Sequence, residues 1–197
     1  LGWRPGARAS LLLAVVVGTA LWAAIGAWFA YRPSFPLWFA ANATDALRYA
    51  TWFLFLGNLL TGAAGLRSAA GARAVPRWVT ALVACGLLAC LVVPEGLPFA
   101  ADAHSSGRAA AFALRLGLAV FGLIAVEQLF RRADRSARWA LKPLCVGVAG
   151  VFAFDLYYYA DAMLFGRLDI DFWMARGLAN AFVIPFLAVA TARNSGW

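Results

Sequence analysis

Charge is scarce in this chain: only 13% of its 197 residues are Asp, Glu, Lys or Arg, about half the share of a soluble domain. With 64% hydrophobic residues as well, the composition excludes an ordinary water-soluble globule, since most of its surface must face lipid. Histidine occurs once, as His104, and cysteine three times, as Cys85, Cys90 and Cys145. No Cys-x-x-Cys and no nearby His accompany these cysteines, so a zinc site is not expected and they read as small packing residues. Ser-His pairs, HExxH, Walker loops and GxGxxG are all missing, so neither catalytic nor metal-binding residues are expected. The net charge of +8 does not imply nucleic acid, because the cations occupy short connectors rather than a basic stripe.

What is present is six apolar stretches, each near the ~20 residues that a helix needs to cross a bilayer. They run over about Ala9–Tyr31, Ala43–Leu66, Arg77–Val93, Arg108–Phe130, Trp139–Phe165 and Phe172–Ala192. The expectation is an all-α, polytopic transmembrane helix bundle, a single integral membrane domain over 1–197. Pro33 and Pro36 place a loop after the first stretch, and Pro94 and Pro98 close the third. The loop from Glu95 to Gly107 holds turn-forming Ser105 and Ser106.

Basic residues set the topology. With an even helix count, one side collects Arg4, Arg8, Arg67, Arg73, Arg77, Arg131, Arg132, Arg135, Arg138, Lys142 and Arg193. The other collects Arg32, Arg48, Arg108, Arg167 and Arg176, with Asp45, Glu95, Asp102, Asp169 and Asp171. The first side is therefore expected to be cytoplasmic, as are both ends. Trp28, Tyr31, Trp38, Phe39 and Trp173 fall at outer helix ends and Trp78 and Trp139 at inner ones, the depth that amphipathic rings prefer.

Ionisable groups inside a span need partners or water. Arg48, Arg115, Asp155, Asp161 and Arg176 lie inside stretches, in the outer half of the bundle, and Asp155 and Asp161 are expected to face Arg115, Arg176 or both. Tyr159 shares a helix face with Asp155 at i, i+4, and Asn58 and Asn180 extend the network. Such a network either fixes helix packing or binds a ligand. Both readings stand at this stage. Pro185, midway along the last stretch, is expected to kink it by leaving the Ala181 carbonyl without its donor. Gly57, Thr61 and Gly65, four apart, offer a small-residue face for close helix approach.

The last third carries a more specific pattern. Glu127-Gln128-Leu129-Phe130-Arg131 precedes Arg138-Trp139-Ala140-Leu141-Lys142-Pro143-Leu144-Cys145, then Phe152-Ala153-Phe154-Asp155-Leu156 and Tyr159-Ala160-Asp161-Ala162. Leu168-Asp169, Trp173, Ala175-Arg176-Gly177, Asn180-Ala181, Pro185, Ala192-Arg193-Asn194 and Trp197 complete it. This series resembles the N-terminal membrane region of PrsK, a histidine kinase family of exosortase/PEP-CTERM systems in Gram-negative bacteria. It covers about Val126 to Trp197; the earlier helices match in pattern only.

The resemblance implies the membrane-embedded sensory and anchoring domain of a two-component sensor histidine kinase in the bacterial inner (cytoplasmic) membrane. That family couples such a region to a cytoplasmic GAF-like domain and kinase core, here expected after Trp197, and regulates PEP-CTERM and exopolysaccharide genes. ATP and Mg would belong to that core, with no cofactor in these residues. The implied partners are the lipid bilayer, a second copy in a kinase homodimer, and a cognate response regulator. The chain begins with Leu1; Arg4 and Arg8 then read as the cytoplasmic loop after an earlier helix. The alternative function is a small secondary transporter or proton-coupled carrier using Asp155, Asp161 and Arg115, although no internal repeat is visible.

Overall fold

The structure, a computed structural model, describes residues 7–65, 77–92 and 106–193. Every element among them is helical: α1 (Ala7–Tyr31), α2 (Phe35–Gly65), α3 (Arg77–Val92), α4 (Ser106–Arg132), α5 (Arg135–Phe165), α6 (Ile170–Ala181) and α7 (Val183–Arg193). Four helical stretches are long and apolar enough to cross a membrane: Arg8–Tyr31, Arg108–Arg132, Ala137–Phe165 and Ile170–Arg193. Of the expected loop from Glu95 to Gly107, residues 95–105 with His104 lie outside the described residues, as do Arg4, Arg67 and Arg73, while Ser106 and Gly107 open α4 instead.

Among the boundaries that differ from expectation, two bear on the site. α2 starts at Phe35 rather than Ala43, so Pro36 is inside its first turn instead of in a loop. Proline is tolerated there because the first-turn N–H groups have no intrahelical acceptor anyway. The last stretch is divided by the single residue Phe182. Pro185 offers no N–H to the Ala181 carbonyl, which is where the regular helix stops.

Pro143 lies inside α5, which nevertheless runs unbroken over 31 residues. A proline there frees the carbonyl four residues earlier, on Trp139. The Arg193 guanidinium, at the end of α7, donates to that carbonyl at 3.2 Å. The defect in one helix is thus filled from another.

α2 packs on α1, α3 and α4, while α5 packs on α4, α6 and α7. Aromatic side chains fill the space between α2, α4 and α5: Phe53 stacks on Phe152 at 5.9 Å and meets Phe121 edge-on at 5.2 Å. Two glycines admit the closest contacts, as small residues do between membrane helices. A Cβ on Gly122 would stand 2.6 Å from the Phe152 ring, and one on Gly147 would stand 2.8 Å from Cβ of Phe186. On the expected Gly57/Thr61/Gly65 face, nothing stands within 4 Å of a Cβ placed on Gly57 and Thr61 is exposed, while the surroundings of Gly65 lie outside the described residues.

The α1–α2 and α5–α6 turns share one end of the bundle, the aromatic end. The α4–α5 turn and the end of α7 form the other, the basic end. Gly166 closes α5 at the aromatic end with a left-handed φ of 66°, a conformation that favours glycine. Asp169 then caps α6, accepting from the Asp171 N–H at 2.9 Å.

Candidate functional site

Two aspartates and two arginines meet inside the bundle about 9–20 Å from the aromatic end, counting 1.5 Å per residue along each helix. α2 supplies Asp45 and Arg48, three apart and therefore on one face. α5 supplies Asp155, and α6 supplies Arg176 with Asn180 one turn on.

Each arginine bonds both aspartates. Arg48 donates to Asp45 at 2.9 Å and to Asp155 at 2.8 Å. Arg176 donates to Asp155 at 2.9 Å and to the two Asp45 oxygens at 3.2 and 3.1 Å. The result is a closed ring of alternating charge with zero net charge. Two tyrosines cross-link it: the Tyr49 hydroxyl of α2 donates to Asp155 at 2.7 Å, and that of Tyr159 on α5 donates to Asp45 at 3.3 Å. Asn180 accepts from Arg48 at 3.0 Å and donates to the Arg176 carbonyl at 2.9 Å.

α1 contributes a π-face rather than a charge. The Trp22 ring lies 4.7 Å from the Arg48 guanidinium and 5.2 Å from that of Arg176; Arg176 also lies 5.0 Å from the Tyr158 ring. Such contacts gain strength away from water. They hold α1 against the ring without adding a charge that would need neutralising.

Of the expected site residues, Asp155, Arg176, Tyr159 and Asn180 come together here. Arg115 donates to Asn42 at 3.0 Å and to the Cys90 carbonyl at 3.2 Å, linking α4 to α2 and α3. Asp161 is half-buried on α5 outside the ring. Asn58, ten residues beyond Arg48 on α2, is about 15 Å away along the helix, too far to join. Pro185 stands on α7, past the end of α6.

Sequence reading assigned Asp45 to the outer side and placed Arg48 only about five residues inside the second stretch, with no partner named for it, whereas Asp45 is 6% and Arg48 0% exposed. The cause is the misplaced start of α2. A helix beginning at Ala43 puts Asp45 at its mouth; one beginning at Phe35 puts it ten residues deep. Trp38 and Trp173, expected at the lipid interface, line a pocket together with Trp22, Phe29, Asn42, Asp45 and Arg176. Its free volume of about 20 Å³ is enough for one water molecule. The Asp45 side chain, at 9% exposure, is the most accessible of the four charged groups.

No family model matches the chain, and no curated protein or solved structure does either. Among the described residues no three His, Cys, Asp or Glu gather where a metal ion would be held. With both carboxylates engaged by both guanidiniums, the ring's chemistry is exchange of ionic partners. A polar guest in the pocket would contact Asp45 of α2 and Arg176 of α6 together.

Proposed function

We propose that the chain is the sensory and anchoring domain of a two-component sensor histidine kinase. In this reading it crosses the bacterial inner membrane six times, α6 and α7 forming one pass, with both ends cytoplasmic. The carrying observation is that the buried ring joins the final pass to α2 and α5 beside a pocket at the aromatic end. A polar stimulus there would compete for Asp45 and Arg176 and shift α6–α7 against α5. The kinase core, with its ATP and Mg, its dimer partner and its response regulator, would receive that shift beyond Trp197. The shift requires the stimulus to bind two packings unequally.

The test is autophosphorylation of the full-length protein in nanodiscs, with Trp173→Ala chosen because it opens the pocket and leaves the ring charges intact. A severalfold change in rate, measured well below the melting temperature of the variant, is expected. A gene that encodes no kinase core downstream would end the proposal. The transporter reading draws on the helix break at Phe182 near the ring, since interrupted helices often flank transport sites. Substrate flux into liposomes that disappears in Asp155→Asn would favour it instead.

A further inference from the structure

The basic end carries an uneven charge that the ring does not use. Around the α4–α5 turn and the end of α7 stand Arg131, Arg132, Arg135, Arg138, Lys142 and Arg193, all exposed. Glu127 and Asp134 are the acids beside them, so six positive less two negative leaves +4. At the aromatic end, among the described residues, Arg32, Arg108 and Arg167 are balanced by Asp161, Asp169 and Asp171.

These cations surround an exposed tryptophan. Arg135, Arg138, Trp139 and Lys142 share one face of the first two turns of α5. Trp139 is 62% exposed, and the Arg193 guanidinium lies 4.0 Å from its ring centre while bonding its carbonyl. One turn further into the bundle the same strips become apolar: Val146 follows Lys142 on α5 and is 50% exposed, and Val189 precedes Arg193 on α7 and is 42% exposed. Cations at a helix end, an amphipathic ring beside them and apolar side chains below match, in order, a phosphate, a glycerol backbone and an acyl chain.

We infer that this rim binds an anionic phospholipid of the adjoining leaflet, its phosphate held by Arg135, Lys142 and Arg193 and its acyl chain lying between Val146 and Val189. The bound lipid bridges α5 and α7, adding to the Arg193–Trp139 contact. This site depends on the chain crossing a membrane and not on the kinase reading.

Native mass spectrometry of the detergent-purified chain, titrated with phosphatidylglycerol or phosphatidylcholine, tests it. The wild type retains phosphatidylglycerol in preference to phosphatidylcholine. At about fivefold in affinity per surface cation, Arg135→Gln/Lys142→Gln/Arg193→Gln binds phosphatidylglycerol about a hundredfold more weakly. Because Arg193 also fills the gap left by Pro143, Arg135→Gln/Lys142→Gln is the companion variant, with an unchanged melting temperature and a loss of about twenty-five-fold. Arg32→Gln/Arg167→Gln, at the aromatic end, keeps wild-type binding. Equal retention of phosphatidylcholine, or an equal loss in that control, overturns the site.

Discussion

Arg48 and Arg131 each form an ion pair within one turn of their own helix, yet they belong to different physical regimes. Arg48 is wholly buried and reaches Asp45 and Asp155 at 2.8 Å. Arg131 meets Glu127 at 2.9 Å with its side chain 72% exposed. Around the first, withdrawal from water makes every unpaired charge expensive, so the groups close into a ring. Around the second, solvent screens the attraction and the pair is one of several interchangeable contacts. Between these ends the bundle is held by apolar fit at Gly122 and Gly147. One chain therefore uses three kinds of helix contact, set by depth.

The sharpest way to break this contrast is Asp155→Ala. It leaves Arg48 and Arg176 sharing a single buried carboxylate and should destabilise the bundle by about 3–5 kcal/mol, read as thermal unfolding in detergent. A loss below about 1 kcal/mol would put the ring in the same class as the surface pair. Gly147→Ala comes next. Its new methyl group meets the Phe186 Cβ, which no side-chain rotation can move away, so a cost of about 1–3 kcal/mol is expected. Adding Phe186→Gly, which removes that Cβ, should recover part of that loss; simple additivity of the two losses would place the α5–α7 contact elsewhere. The smallest effect belongs to Glu127→Gln, at under about 1 kcal/mol and fading further as salt rises.

The aromatic residues show how much could be read in advance. Trp28 and Tyr31 are 59% and 80% exposed near the end of α1, as their place beside a run of apolar residues suggests. Trp38 and Trp173 satisfy the same positional rule and yet turn inward to the pocket. Period and spacing place a residue along a helix, but they do not say which neighbour covers its face. The ring follows the same logic. Asp155, Arg176, Tyr159 and Asn180 stood out because polar groups deep in apolar stretches are rare. Asp45 did not, and Arg48 was read as shallower than it is, because Pro36 looked like a loop marker when it was a first-turn residue. Arg115 was conspicuous for the same reason as Asp155, and two of its acceptors, an asparagine and a backbone carbonyl, have no charge to advertise them.

Composition and run length alone were sufficient for an all-helical chain with helices able to cross a membrane, because the cost of exposing apolar side chains to water is local and additive along the sequence. Pro143 and Pro185 were equally visible, yet one lies in an unbroken helix and the other follows a break. Only the packing of α7 against α5 decided that difference, by bringing Arg193 to the carbonyl that Pro143 left free. Which carboxylate meets which guanidinium was decided in the same way, since a contact across 107 residues between Arg48 and Asp155 depends on how the helices lie in space. Hydrophobicity is a property of each segment, whereas the pairing of buried charges is a property of the assembled bundle.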